Sequence, residues 1–422
     1  MKIRIYTGNF YPEKTGIGKY TGELAAWLVK HGHAVTVVTG FPYYPEWKLS
    51  GYSRTRFLKE QWQGVEIQRV PHYIPRDGKV SSLKRMLVDL TIFCSSGAIF
   101  LKQFFFRQER ADITICICPP LFSGIWGALG RLFFGTPWIY HIQDFQVDAA
   151  LKLNMLRGRF LATLLLGIER KLIQSADHAS SITPSMCKRL VAKGADPSKV
   201  LHLPNWSDLN NIQPIDKATP FRASLGINEP GLLVMYAGAM GNKQGLPLVL
   251  DAAERLLDDL RFHFVMVGTG SDAEALQDAA RARNLRNMTF MPLQPIERLN
   301  EMLGSADIHL VIQKSDAADL VMPSKLTNIL AAGRPTIATA DKGTELWDVI
   351  VGASTGIAIP PEDLEAFIEA LHAMAASAEN RIYYGVRARE FAEHNLGQDA
   401  ILGRFEKALA ISREAAATRV SA

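Results

Sequence analysis

A serine and a lysine at the predicted start of a short helix are well suited to binding phosphate. Pro323 marks the start of this helix, and the apolar run that follows ends at Gly333. The unpaired N–H groups at a helix N-terminus attract anions, and Ser324 and Lys325 would add a hydrogen bond and a positive charge. The segment therefore predicts a diphosphate site, although an ordinary helix start between two strands can carry the same residues.

Glycine-rich loops follow two predicted strands in the same half of the chain. Gly238 and Gly268 come at or near the ends of these strands, Gly270 lies two residues further on, and Lys243 lies in the first loop. Glycine lets a ligand approach the backbone closely. Because the carboxyl ends of parallel strands meet at one crevice in a doubly wound sheet, these loops can line one nucleotide site with the helix start at Ser324.

The first half of the chain has an imidazole and two carboxylates close together in sequence. His141, Asp144 and Asp148 lie at the end of a predicted strand. Such groups at the edge of a cleft can orient hydroxyls or move protons. A purely structural histidine is the alternative interpretation.

A second loop of small residues contains Gly16 and Gly18 and opens the first helix. It does not match a dinucleotide-binding fingerprint, because the glycines come late and the second strand ends at Gly40 without a carboxylate for a ribose. It does not match a P-loop either, since Tyr20 follows Lys19. A tight structural turn remains an alternative to a ligand-binding loop.

Strands alternate with helices along most of the chain, which favours parallel sheets covered on both faces. The predicted strands are Lys2–Thr7, Ala34–Thr39, Ile113–Ile117, Trp138–Ile142, Ala179–Thr183, Leu232–Tyr236, His263–Val267, Met288–Phe290, Ile308–Ile312 and Pro335–Ala338. The predicted helices are Lys19–His31, Leu246–Leu257, Asp272–Arg283, Ile296–Gly304 and Ser324–Ala332, with further helices from Glu362 to Ala417 broken near Asn395–Gly397. We therefore predict an α/β protein of two doubly wound Rossmann-like domains facing a cleft, residues 1–205 and 206–395.

The two halves differ in charge. Residues 1–205 contain 27 Lys and Arg against 14 Asp and Glu, and the remaining residues contain 20 against 28, which gives net charges of +13 and −8. The basic half suits an anionic partner, such as a membrane surface or a phosphorylated lipid. Nucleic acid is not expected, because no recognised reader motif is present. A basic surface that serves only solubility also remains open.

Membrane contact has one specific candidate, the apolar and basic stretch Lys84–Arg107. Phenylalanines interleaved with cations on a helix can lie in a bilayer interface, and a buried amphipathic helix is the alternative. We find no signal peptide or transmembrane segment, since the longest charge-free run, Ile113–Gly130, is broken by two prolines. The four cysteines have no metal-binding spacing and indicate a reduced, cytoplasmic protein.

Several segments together resemble the glycosyltransferases of family 4 that build bacterial exopolysaccharides such as colanic acid. They are Pro12–Glu23, Pro42–Pro45, His141–Asp144, Pro204–Ser207, Lys243–Leu246 and Pro323–Ala331. The resemblance spans nearly the whole chain and implies a GT-B fold, with a last helix at about 396–417 that returns to the first domain. It implies retaining transfer from a nucleotide sugar to a polyprenyl-diphosphate-linked saccharide, with no required cofactor or metal, at the inner face of the plasma membrane.

The resemblance also assigns roles to individual residues. Lys243 would be the cation on the donor diphosphate, helped by the backbone around Ser324, Lys325 and Leu326. The sequence departs from the family at its two glutamates, since Asn328 takes the place of the second and the first falls near Leu320. Asp319 or Asp316 would then contact the sugar, and Asn328 the ribose. Ala239 replaces the usual arginine after the glycine.

A retaining transfer without an enzymic nucleophile is usually drawn as front-face attack, in which the leaving phosphate helps to deprotonate the acceptor. The protein contributes orientation and stabilisation of the diphosphate charge. His141 would contact the transferred sugar, and Gly16 and Gly18 match a mobile loop over the donor phosphate and acceptor. The predicted catalytic residues are His141, Asp144 and Lys243.

The resemblance favours GDP-fucose as the donor, and a UDP-sugar or GDP-mannose remains open. A nucleotide-sugar 2-epimerase of the same fold is a second enzyme class. It would need catalytic carboxylates in the cleft and no lipid acceptor, and the basic, aromatic first half argues against it. An NAD-dependent oxidoreductase is disfavoured by the missing acidic residue near Gly40.

Overall fold

The computed structural model describes residues 1–421 except 14–15, 45–46, 76–81, 153–158, 229 and 316–322. The chain forms two compact units. Unit 1 comprises Met1–Pro204 and Leu402–Ala422, and unit 2 comprises Asn205–Ile401. Each unit is a sheet flanked by helices, so the two α/β domains predicted from the sequence are confirmed.

Unit 1 contains an eight-stranded sheet in the order β3-β4-β2-β1-β5-β6-β7-β8. Its strands are β1 (Lys2–Tyr6), β2 (Ala34–Thr39), β3 (Leu58–Trp62), β4 (Val65–Arg69), β5 (Ile113–Cys118), β6 (Trp138–Ile142), β7 (His178–Ser181) and β8 (Val200–His202). Neighbouring strands are parallel except for β3, which pairs antiparallel with β4 at one edge. The strand order reverses between β1 and β5, which is where ligands bind in doubly wound sheets.

Helices cover the sheet of unit 1. They are α1 (Gly16–Lys30), α2 (Ser82–Phe105), α3 (Ser123–Phe134), α4 (Gln146–Lys152), α5 (Arg159–Ser175) and α6 (Pro184–Ala192). All six residues of β5 and all five of β6 are buried, as expected of parallel strands covered on both faces.

Helix α2 contains most of the stretch Lys84–Arg107, for which the sequence left open a membrane contact or a buried amphipathic helix. Val88, Ile92 and Ile99 pack in the core of unit 1, whereas Phe105 is 81% exposed at the C-terminal end of the helix. The helix is therefore buried along one face and open to solvent at one end. By length and composition Lys84–Phe105 is also long and apolar enough to cross a membrane, a candidate that the search for a charge-free stretch did not find.

Unit 2 contains a six-stranded parallel sheet in the order β11-β10-β9-β12-β13-β14. Its strands are β9 (Leu232–Ala237), β10 (Phe262–Val267), β11 (Met288–Met291), β12 (Ile308–Val311), β13 (Thr336–Thr339) and β14 (Gly356–Ile359). Its helices are α7 (Pro220–Ser224), α8 (Pro247–Arg255), α9 (Ala273–Ala282), α10 (Leu299–Ser305), α11 (Ser324–Ala331), α12 (Glu345–Trp347), α13 (Leu364–Ala376) and α14 (Ala378–Asn395). The order reverses between β9 and β12, the switch point of this unit.

Alternate residues of β9 explain why helices lie on both faces of the sheet. Val234 and Tyr236 pack in one apolar cluster, and Leu233 and Met235 pack in a second cluster. Successive side chains of a strand point to opposite faces, so the strand supplies two separate cores.

The final helix, α15 (Gln398–Ser421), follows α14 after a break at Leu396–Gly397, as the sequence predicts. The N–H of Ser207 donates to the carbonyl of Leu396 at 2.9 Å, which fixes this break beside the start of unit 2.

Several element boundaries were wrong by a few residues. The predicted strand at Pro335 begins at Thr336, and the predicted helix at Ile296 begins as a short 3-10 turn before α10. The edge strands β3, β8 and β14 were not predicted, and neither was β4, which lies between β3 and β2.

Candidate functional site

The loops that follow β9 and β10 pack directly against each other in unit 2. The N–H of Gly238 donates to the carbonyl of Val267 at 2.9 Å. A Cβ on Gly268 would lie 1.9 Å from the carbonyl oxygen of Gly238, and a Cβ on Gly270 would lie 2.1 Å from that of Met240. The demonstrated role of these glycines is therefore close backbone packing, and their contact with the donor remains a prediction.

Lys325 carries a buried ammonium at the carboxyl end of β9. The residue as a whole is partly exposed, but its Nζ atom is buried and has no hydrogen-bond partner in the described part of the chain. Nζ lies 3.6 Å from the ring centroid of Tyr236 and would be 3.1 Å from a Cβ on Gly238. Burial lowers the pKa of Lys325 from 10.5 to about 7. An uncompensated buried cation is costly and favours an anionic ligand.

The helix that carries Lys325 has an open N-terminus. Pro323, at its N-cap, supplies no side-chain hydrogen bond to the first turn, and Ser324 is exposed. The two other residues predicted here are already engaged. Leu326 is buried in the core, with its N–H donating to the carbonyl of Pro323 at 3.0 Å, and Asn328 accepts a 2.9 Å hydrogen bond from Ser207. The open N–H groups are thus those of the first two residues of the helix.

Two further lysines lie on the loop between β9 and α8 or beside it. Lys243 is exposed, and its side chain has no recorded partner among the described residues. Lys314 follows β12, and its Nζ donates to Oδ1 of Asn242 at 2.7 Å. Sequence reasoning missed Lys314, because it belongs to no glycine loop or helix start. Asp319, predicted to contact the sugar, lies outside the described residues, as do Asp316 and Leu320.

In unit 1, His141 lies within β6, the strand predicted at Trp138–Ile142, and Asp144 and Asp148 follow that strand. It is 3% exposed, and its Nδ1 is 2.9 Å from Oγ of Ser180 on the neighbouring strand. Burial lowers the pKa of His141 to about 3, so the imidazole is neutral at physiological pH. A neutral imidazole held in this way can make a hydrogen bond to a substrate hydroxyl through Nε2, but it is poorly suited to supplying a proton.

The two carboxylates near His141 have different surroundings. Asp144 is partly exposed, and its carbonyl accepts the N–H of Gln146 at 3.0 Å. Asp148 is bound by two cations, with Oδ2 3.1 Å from Nε of Arg189 and 3.0 Å from Nζ of Lys193. Asp148 therefore belongs to an ion-pair network between helices, which corrects its grouping with the reactive residues.

Glu13 fixes the loop that leads to Gly16 and Gly18. Its buried carboxylate accepts hydrogen bonds from Nδ2 of Asn9 at 2.8 Å and from the backbone N–H groups of Tyr43 and Tyr44 at 2.9 Å each. Burial raises the pKa of Glu13, against the effect of these bonds. A Cβ on Gly18 would lie 2.8 Å from Cβ of Glu13, so glycine is required there. Sequence reasoning did not single out Glu13, because its backbone partners Tyr43 and Tyr44 are 30 and 31 residues away in the chain.

Asp89 is a second carboxylate that the sequence did not reveal. It lies on α2 and accepts a 2.6 Å hydrogen bond from Nε2 of Gln146, and burial raises its pKa to about 6. Among the described residues, no group of three or more His, Cys, Asp or Glu side chains is arranged to hold a metal ion.

Solved structures define the class of this fold. Sucrose-phosphate synthase of Thermosynechococcus elongatus superposes with a TM-score of 0.73 at 17% identity over 98% of this chain and 100% of that chain. HepE of Anabaena, in a complex with UDP, has a TM-score of 0.71 at 12% identity over 97% and 100%. The lipopolysaccharide glycosyltransferase WaaG has a TM-score of 0.67 at 17% identity over 97% and 99%. These likenesses show the GT-B fold.

Sequence comparisons identify the family within this fold class. Residues 15–206 match the "Glycosyl transferase 4-like domain" and residues 217–391 match "Glycosyl transferases group 1". The putative colanic acid biosynthesis glycosyl transferase WcaI of Escherichia coli K12 is 37% identical over 413 residues, which are 96% of this chain and 98% of WcaI. The chain therefore belongs to the family 4 glycosyltransferases, and the predicted transferase activity is confirmed at that level.

Proposed function

We propose that this enzyme transfers a hexose from a nucleotide sugar to a polyprenyl-diphosphate-linked saccharide during exopolysaccharide assembly of the colanic acid type. The observation that carries the donor assignment is the buried ammonium of Lys325, which has no partner among the described residues and lies beside Gly238 at the switch point of unit 2. A diphosphate would supply the missing negative charge. The relation to WcaI supports the pathway, and the UDP complex of HepE supports a nucleotide-sugar donor.

The chemistry follows from the charge that develops on the leaving group. Breaking the bond between sugar and phosphate adds negative charge to the diphosphate, and a nearby cation stabilises that charge in the transition state. Lys325 and the N-terminus of its helix serve this purpose, and Lys243, exposed on the loop that follows β9, is a third donor. His141 stays neutral and orients a sugar hydroxyl. The leaving phosphate accepts the proton of the acceptor hydroxyl, which gives retention by front-face attack.

GDP-fucose is the proposed donor, with GDP-mannose or a UDP-sugar as alternatives. A thermal-shift titration with GDP, and with UDP in parallel, tests the nucleotide. Stabilisation by GDP alone supports fucose or mannose, whereas stabilisation by UDP alone overturns GDP-fucose and keeps the transferase. No response to either nucleotide would refute the donor site. An epimerised nucleotide sugar formed without any acceptor would favour the 2-epimerase.

A lipid-linked acceptor requires an enzyme that works at the membrane, so we also propose that it lies at the inner face of the plasma membrane, and one surface of unit 1 supports this. We name it the aromatic end, formed where the C-termini of α2 and α3 meet. Its exposed side chains are Leu101, Phe104, Phe105, Phe106, Leu132 and Phe133. The rings of Phe104 and Phe133 lie 5.3 Å apart, and the exposed cations Lys102 and Arg107 flank them. Apolar rings with cations around them match an anionic bilayer interface.

Vesicle sedimentation tests this assignment. The wild-type protein should bind vesicles that contain phosphatidylglycerol more strongly than vesicles of phosphatidylcholine, and binding should fall with salt. A Phe105→Ser/Phe106→Ser variant should bind at least about 10-fold more weakly, because two large apolar surfaces are lost. Ile382→Ser is the control, since Ile382 is 67% exposed on α14 of unit 2. Equal binding by both variants would remove the aromatic end from the proposal.

A further inference from the structure

We infer that Lys314 is a further cation for the donor diphosphate, besides Lys325 and Lys243, and stabilises the leaving group together with Lys325. The inference rests on the proposed donor site and names a residue of that site. Lys314 lies three residues beyond the end of β12, and β12 pairs with β9 at the switch point of unit 2. The carboxyl ends of these two strands border the crevice where doubly wound sheets bind ligands.

Contacts of its backbone and side chain fix Lys314 on the glycine loop that follows β9. Its N–H donates to the carbonyl of Lys243 at 3.0 Å, and its Nζ donates to Oδ1 of Asn242 at 2.7 Å. Its Cγ would lie 3.1 Å from a Cβ on Gly245, which has a positive φ of 62°. Lys314 therefore lies against the last glycine of this loop, whereas Lys325 lies against the first, Gly238.

The charge of Lys314 is not neutralised within the described part of the chain. Its recorded side-chain partner is the neutral amide of Asn242. Lys217, elsewhere in the same unit, instead pairs with the carboxylate of Asp307 at 2.9 Å. A partly buried lysine without a counter-ion beside a ligand crevice favours an anion.

A buried side-chain donor also lies next to Lys314 in the chain. Nε2 of Gln313 is buried and has no hydrogen-bond partner among the described residues, as is true of Nζ of Lys325. Buried donors of this kind are nearly always satisfied in folded proteins, so two of them on adjacent elements indicate an acceptor-rich group. A diphosphate has two phosphoryl groups and many acceptor oxygens, and the glycine loop presents one lysine at each end.

Nucleotide titrations of Lys314→Met, Lys314→Arg and wild-type protein test the inference. With whichever of GDP or UDP binds the wild type, Lys314→Met should raise Kd roughly 10- to 100-fold, because one charge-assisted hydrogen bond to the diphosphate is lost. Its affinity for the matching nucleoside should change less than about 3-fold, since the nucleoside lacks the diphosphate. Lys314→Arg should restore most of the affinity for the diphosphate.

The control is Arg286→Gln, which removes an exposed cation of unit 2. Arg286 lies just before β11 and pairs with Asp258. This variant should leave both affinities unchanged. An unchanged diphosphate affinity in Lys314→Met, or an equal loss for nucleoside and nucleoside diphosphate, would overturn the role of Lys314. If the wild type binds neither nucleotide, the proposed function itself fails. If Lys325→Met loses the diphosphate and Lys314→Met does not, the role of Lys314 alone fails.

Discussion

Replacing Lys325 with methionine should stabilise the ligand-free protein while it abolishes tight binding of nucleoside diphosphates. Methionine has a similar length and volume, so it can fill the space beside Tyr236 and Gly238 without a buried charge. The two effects have opposite signs because the ammonium lacks a recorded partner until the donor arrives.

The size of the stabilisation follows from the pKa of Lys325. A pKa lowered from 10.5 to about 7 corresponds to about 5 kcal/mol of free energy against the charged form. A pKa reflects every interaction of the ammonium, so this figure already includes the contact with the ring of Tyr236, 3.6 Å away. The gain for Lys325→Met is therefore about 5 kcal/mol at pH 6.

The gain should depend on pH. Below pH 7 the lysine is protonated in both the folded and unfolded states, so the full cost is present. Between pH 7 and 10.5 the unfolded state binds more protons than the folded state, so wild-type stability rises with pH. The advantage of Lys325→Met therefore falls by about 1.4 kcal/mol for each pH unit above 7, is about 2 kcal/mol at pH 9 and disappears near pH 10.5.

Denaturant unfolding of both proteins at pH 6 and pH 9, followed by nucleotide titration, measures these effects. We expect a higher unfolding midpoint for Lys325→Met at pH 6, less than half of that difference at pH 9, and a loss of at least about 100-fold in diphosphate affinity. A lower midpoint for Lys325→Met at pH 6 would show that the ammonium is paired in the ligand-free protein. Wild-type affinity of this variant for the diphosphate would show that Lys325 is not part of the donor site.

Three further predictions concern other parts of the two units. Gly268→Ala should shift the glycine loops and lower the free energy of unfolding by at least about 2 kcal/mol, because the added Cβ would lie 1.9 Å from the carbonyl oxygen of Gly238. Gly352→Ala is the control, since its added Cβ would meet no atom within 4 Å, and the unfolding midpoints of the two variants are compared. The pH profile of kcat/KM should show no ionisation of His141 between pH 5 and 8, since the pKa of His141 is about 3. A pH-dependent change of kcat/KM in that range that disappears in His141→Gln would contradict this prediction. Glu13→Ala should lower the free energy of unfolding by about 1 to 3 kcal/mol, because three N–H donors lose their acceptor. Calorimetry measures this loss, and unchanged stability would argue against the network.

Most inner strands, although not β4, could be predicted from sequence because burial leaves a local signature. Ile113–Cys118 is a continuous apolar run and is buried throughout as β5. Leu58–Trp62, by contrast, mixes Lys59 and Glu60 with apolar residues, and β3 is an exposed edge strand whose only partner is β4. A strand stabilised by one neighbour and little burial has no clear pattern in the sequence.

The phosphate site was predictable in outline and not in detail. The helix start at Ser324 and Lys325 is a local pattern, and the structure places it beside the glycine loops. Which lysine is buried depends on packing against Tyr236, 89 positions away from Lys325 in the chain, and it was the family resemblance that assigned the main role to Lys243. Lys314 has no motif, and its contacts appear only once β12 and β9 are paired.

The position of the last helix affects how the chain can fold during synthesis. Leu402, Phe405 and Leu409 are buried and belong to unit 1, but the ribosome makes them only after all of unit 2. At roughly 5 to 20 residues per second, unit 2 takes about 10 to 40 seconds to synthesise. During that time unit 1 lacks a helix and exposes the apolar surface that the helix will cover. The unit encoded second can therefore reach its native state before the unit encoded first.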